Sequence, residues 1–132
     1  MADYFTNFSL VITLKEKEQQ AYALDLARKA VQLAPKQGAH WNTLGVAQYR
    51  AGDWKAAIEA LTKSMELMHG ESEGFNTFFL AMSHWQLSDK PQALSWYAKA
   101  IAWMEKNQPK NEELIRFRDE AAALLEVKAT KD

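Results

Sequence analysis

His40, His69 and His84, with the carboxylate pairs Glu71/Glu73 and Glu112/Glu113, are the residues of this chain whose types could hold a metal or move a proton. The three histidines are scattered. No two stand at the three- or four-residue spacing that sets two ligands on one helical face. The carboxylates fall in loops or in the first turns of expected helices, where capping and solvation account for them. Cysteine is absent, which excludes disulfides, thiolate catalysis and cysteine metal sites. A Gly-rich phosphate loop, a nucleophile elbow and an H-E-x-x-H pair are all missing. No catalytic residue, metal or cofactor is therefore expected, and the chain is read as a non-enzyme. What remains is apolar chemistry, with five Trp, six Phe and four Tyr. Trp41, Trp54, Trp96 and Trp103 suit packing between helices, whereas Trp85 falls with Phe75, Phe78 and Met82 on one helical face.

The elements that would position this face begin with the stretch Trp41–Leu67. It predicts two helices joined at Ala51-Gly52-Asp53, where Gly52 ends the first in a left-handed conformation and Asp53 caps the second. Gly45 and Ala57 are the small residues at which the two would come closest. The chain then repeats itself. Ala23 and Ala30 stand for Ala57 and Ser64, 34 residues on. After the central pair, Leu80-Ala81 repeats Leu44-Gly45, Ser88-Asp89 repeats Gly52-Asp53, and Ala93 repeats Ala57 at a distance of 36 residues.

In Trp41, Leu44, Gly45, Ala57 and Leu61 the chain resembles the tetratricopeptide repeat (TPR) family, and bacterial TPR modules among it. Tyr49 lies one residue past the signature Tyr, Thr77 and Ala81 replace Trp and Gly in the later repeat, and two extra residues fall near Gly70–Gly74. The resemblance covers about Gln19 to Asn107. It implies an all-α fold in which antiparallel helix hairpins stack as a short superhelix. The domain would span 15–127, with a half repeat at 15–37, repeats at 38–71 and 72–108, and a capping helix at 111–127. Pro35 ends the first helix, Ser72 is the expected N-cap of the Phe75–Leu87 helix, Pro91 opens the next, and Asn111 caps the last.

Residues 1–14 break the pattern. Phe8, Leu10, Ile12 and Leu14 alternate with Ser9, Val11 and Thr13, a strand's period, so the segment is expected to be extended or strand-like. It would lie over the first helix, or pair with its twin in a homodimer. A degraded helix held by packing is the third arrangement. Were the repeat continued backward, Leu10 would occupy the Leu44 position.

What the resemblance implies about function is a concave surface lined by the first helix of each hairpin. Its positions fall here on Asn42, Val46, Tyr49 and Arg50, and recur as Phe78, Met82, Trp85 and Gln86, with Phe75 at the edge. Such a face suits an apolar peptide or helix of a protein partner. The carboxylate clamp of chaperone-binding TPR proteins is not expected, because Val46 and Met82 stand where polar donors would be needed. Two other roles stay open: an oligomerisation element whose aromatic face and N-terminal segment are consumed in self-assembly, and a regulatory segment of a larger signalling system. A net charge of −1 gives no general attraction to nucleic acid or to a membrane surface. No apolar run is long enough to span a bilayer and no signal peptide is evident, so the cytoplasm is the expected location.

Overall fold

In a computed structural model the backbone is described for residues 2–127 and the side chains for residues 16–127. Six helices succeed one another: α1 (Ala2–Leu33), α2 (Gly38–Arg50), α3 (Trp54–Met68), α4 (Gly74–Gln86), α5 (Lys90–Asn107) and α6 (Glu112–Leu125). No strand occurs among the described residues. Helices α2 and α3 form one antiparallel hairpin and α4 and α5 a second, with α1 packed on α2, α3 on α4, and α6 on α4.

The turns form for the reasons the residues suggest. Gly52 is left-handed (φ 87°), and the Asp53 carboxylate accepts from the Ala56 N–H at 3.3 Å. The second hairpin uses the same device with a costlier residue: Ser88 is left-handed (φ 65°) and Asp89 accepts from the Gln92 N–H at 3.3 Å. Pro91 sits in the first turn of α5, and Asn111 caps α6 by accepting from the Leu114 N–H at 3.0 Å. Between α3 and α4 the two extra residues make a longer reversal. His69, Gly70 and Ser72 are all left-handed there, at φ 51°, 88° and 56°. Ser72 consequently does not cap α4. That place is taken by Glu73, which makes no side-chain cap.

The hairpins close tightly. A Cβ on residue 45 would lie 2.6 Å from Leu61 Cγ and 3.2 Å from the Leu61 backbone nitrogen, so α2 and α3 meet at this spacing only because Gly45 lacks a side chain. Ala57 beside them is fully buried, as is its counterpart Ala93. One continuous core joins α2 through α6 around Leu61, Phe78, Phe79, Met82, Tyr97 and Leu114. A smaller cluster of Ala27, Val31, Leu44 and Ala60 ties α1 on.

The segment expected to be extended is instead the start of α1, helical from Ala2. The physical reason lies in the residues just after it. Lys15-Glu16-Lys17-Glu18-Gln19-Gln20 is a run of good helix formers with no glycine or capping residue, so the helix of residues 21–33 continues backward without interruption. A helix pairs the segment's backbone groups internally, whereas a lone strand would leave them unpaired. The side chains of residues 1–15, and with them the expected strand pairing, lie outside the described ones.

Two substitutions test this packing. Gly45→Ala should lower the unfolding free energy by about 1–3 kcal/mol through overpacking against Leu61, despite alanine's better helix propensity. Ser88→Gly should raise it by about 1 kcal/mol by removing the left-handed strain. Both are measured by urea denaturation followed by circular dichroism.

Candidate functional site

Helix α4 decides how much of the expected face is open. Asn76 to Ser83 are buried without a break, so this helix is enclosed on every face. Phe78 and Met82, both 0% exposed, are core residues and line no groove. Phe78 meets Tyr97 of α5 edge-on, with centroids 6.0 Å apart. Phe79 is flanked by Tyr49 of α2 at 5.5 Å and Phe117 of α6 at 4.8 Å, both edge-to-face. This aromatic column joins α2, α4 and α6 through Phe79, a residue beside the expected face and not on it. Tyr49 is buried within it.

Arg50 closes the column. Its guanidinium lies 5.2 Å from the Phe79 ring centre and 5.9 Å from that of Tyr49, and it forms a two-point ion pair with Glu120 of α6 whose second contact is 2.9 Å. Trp85 and Gln86 sit half-buried at the far end of α4. Lys90 stacks over Trp85 at 5.2 Å, and Gln86 donates to the Tyr49 hydroxyl at 3.3 Å.

Of the expected surface, Asn42, Val46, Arg50 and Phe75 are brought together. They line a groove of about 340 Å³ with Gln20 and Ala23 of α1, Thr43 and Ala47 of α2, and Glu113 and Phe117 of α6. A second recess of about 220 Å³ continues past Asn42 and Phe75 toward Met68 and Ser72. Phe117 and Glu113 were legible only as helix face and helix dipole residues. Nothing in a single helix's period shows that α6 turns back onto α4. Gln20 and Ala23 were likewise hidden, because they enter the groove from α1.

The groove's polar groups are largely spoken for. Asn42 donates to the Phe75 carbonyl and to Asn76 Oδ1, each at 2.9 Å, and Asn76 passes the chain on to Ser64 Oγ at 3.1 Å inside the core. The Thr43 hydroxyl donates to the Ala39 carbonyl at 3.1 Å, and Arg50 is paired with Glu120. The walls between them are Ala23, Val46, Ala47, Phe75 and Phe117. Among the described residues no group of three or more His, Asp or Glu is gathered for a metal, and no helix is long and apolar enough to cross a membrane.

Burial raises the Tyr49 hydroxyl above its ordinary 10.0; Glu120 adds to the rise, and the Gln86 bond and Arg50 oppose it. Tyr97 is raised too, chiefly by burial. A folded state that holds these protons more tightly gains stability that is complete below pH 10 and is lost as pH climbs through the raised values. The urea midpoint should therefore fall as pH is taken above 10, and Tyr49→Phe should make that fall shallower.

No protein-family model matches the chain, and no curated protein matches it.

Proposed function

We propose that the chain is a protein–protein interaction module of the TPR type, acting without catalysis in the cytoplasm, and that it holds an apolar helix or extended peptide of a partner in the groove between α1, α2 and α6. The observation that carries this is the state of the groove's donors. Asn42, Thr43 and Arg50 are all satisfied within the chain, so the surface offers apolar walls and few unmade hydrogen bonds. A polar ligand would lose its water there without compensation, whereas an apolar one gains by burial. Val46, Phe75 and Phe117 supply the anchors, and Glu113 and Gln20 stand exposed at the rim, where they can meet polar positions of the ligand. The hairpin stacking and the 34- and 36-residue spacings support the family reading. The ligand site differs from the one expected of that family, since Phe78 and Met82 are fully buried and the anchors shift toward α1.

Fluorescence anisotropy with a fluorescein-labelled amphipathic peptide rich in Leu and Phe tests the proposal. Binding should be saturable, and Val46→Glu and Ala47→Glu should each weaken it by about tenfold or more, equivalent to about 1.4 kcal/mol, with the helical circular dichroism retained. Equal binding by the wild type and both variants, or none above a polar control peptide, would refute it.

A further inference from the structure

Tyr22, Leu26 and Leu33 are large apolar side chains of α1 that stand in solvent, at 67%, 47% and 86% exposure. With 3.6 residues to a turn, they fall with Lys29 inside an arc of about 60°. Their spacing of four, three and four residues is that of a helix seam that meets another helix. The strip lies roughly opposite Ala27 and Val31, which are buried with Leu44 and Ala60. Shifted by 34 residues, the same places on α3 are Ala56, Ala60, Lys63 and Leu67, and Ala60 is 3% exposed. Helix α1 thus carries Tyr and Leu where its counterpart carries Ala. Residues of this size do not suit the close approach of a hairpin partner. They suit a helix whose axis stands off by about 8–10 Å.

The charges beside the strip say what that helix is. Asp25 and Lys29 lie along the same edge of it, four residues apart. Within the chain Asp25 turns to Arg28 at 3.7 Å, with both side chains more than half exposed. Lys29 has no ion pair among the described residues. One acid and one base at this spacing complement themselves when the strip is reversed. A parallel copy would oppose Asp25 to Asp25 and Lys29 to Lys29. An antiparallel copy opposes each to the other, twice.

We propose that α1 pairs through this strip with α1 of a second copy of this chain, antiparallel and about a twofold axis level with residue 27. The charges set the register: Asp25 comes level with the partner's Lys29, and Lys29 with the partner's Asp25. The same register puts Tyr22 beside the partner's Leu33 and Leu26 beside the partner's Leu26. Charge and apolar size, two independent patterns, thus agree on one arrangement. Such an interface is self-complementary, as a closed dimer requires. Ala27 keeps its place in the core, because its side chain is turned away from the strip. Ala23, on the opposite edge and too short to reach the partner, stays a wall of the peptide groove. The pairing rests on α1 alone and does not depend on peptide capture. An interface one helix wide is small, so the dimer forms and dissociates with concentration.

Sedimentation equilibrium over a dilution series should show the wild-type mass rising from 15.1 kDa toward twice that value. Leu26→Glu should stay at 15.1 kDa throughout, with its helical circular dichroism and its peptide binding retained. Asp25→Lys should weaken the dimer by about tenfold, and adding Lys29→Asp should restore it, because the swapped pair is again complementary. The chain has no cysteine, so disulfides can report the register without interference. Under mild oxidation Leu26→Cys should link to itself. Leu33→Cys, at a more exposed position, should not, because the two copies of residue 33 would stand about 18 Å apart along the axes. Val46→Glu should leave the mass unchanged while it weakens peptide binding, so the two proposals fail separately. A wild type of 15.1 kDa at every concentration, a charge swap no better than the single change, or Leu33→Cys linking as readily as Leu26→Cys would overturn the pairing.

Discussion

A helix that is buried around its whole circumference has to be surrounded, and α4 imposes that requirement on the rest of the molecule. Phe75, Phe78, Phe79, Leu80 and Met82 spread over more than half of its circumference, and Asn76, Thr77, Ala81 and Ser83 are buried between and beyond them, so one hairpin partner cannot bury it. It takes α5 on one side, α2 and α3 on a second and α6 on a third. The Phe79 column shows how the last gap is closed. Edge-to-face contacts of this kind contribute about 0.5–1.5 kcal/mol each beyond the area they bury. Arg50 stacks on the same ring, whereas its ion pair with Glu120, over a third exposed on the arginine side, adds less than its two-point geometry suggests. The pair's value lies in fixing α6 against α2, and with it the position of Phe117.

The same requirement shapes the groove. With α6 packed on α4, Phe78 and Met82 are buried, and the groove between α1, α2 and α6 stays open. Asn42, Asn76 and Ser64 then set how α2, α3 and α4 lie relative to one another. Asn76 is fully buried, and a hydrogen-bonding amide held there tolerates one register, since a slip would leave it unpaired at a cost of about 1–3 kcal/mol. The floor of the groove is therefore set by polar contacts and its walls by apolar ones.

Much of the scaffold was legible in the sequence because its signals are local. Gly52, Asp53, Pro91 and Asn111 act within their own turns, and all four do in the structure what their chemistry suggests. The site was less legible because burial is not local. The spacing of Phe78 and Met82 shows that they share a face of α4, but even its polar Asn76, Thr77 and Ser83 are buried, so spacing cannot tell an open face from a covered one. Residues 8–14 misled for a related reason. Their alternation is a strand's, but α1 has no sheet to join, and the helix formers after them carry the backbone through. At Ser72 a capping residue type was read correctly and placed wrongly, because the longer reversal after Met68 needed a left-handed residue there.

The two ends of the stack are finished differently, and the difference bears on how such an array stays soluble. At the C-terminal end α6 occupies the place where a third hairpin would begin. It buries Leu114, Ala121, Ala122 and Leu125 and leaves Glu112, Glu113, Arg116 and Asp119 exposed, so the stack ends on a polar surface. At the N-terminal end α1 has only Ala27 and Val31 buried among its described side chains, and Tyr22, Leu26 and Leu33 stand in solvent. Two buried residues are a slender anchor for the described side chains of α1, residues 16–33, since an isolated helix in water is marginal even with favourable residues. A cap removes apolar surface; α1 adds to it. Among the described residues, α1 thus leaves apolar side chains in solvent where α6 presents charged ones.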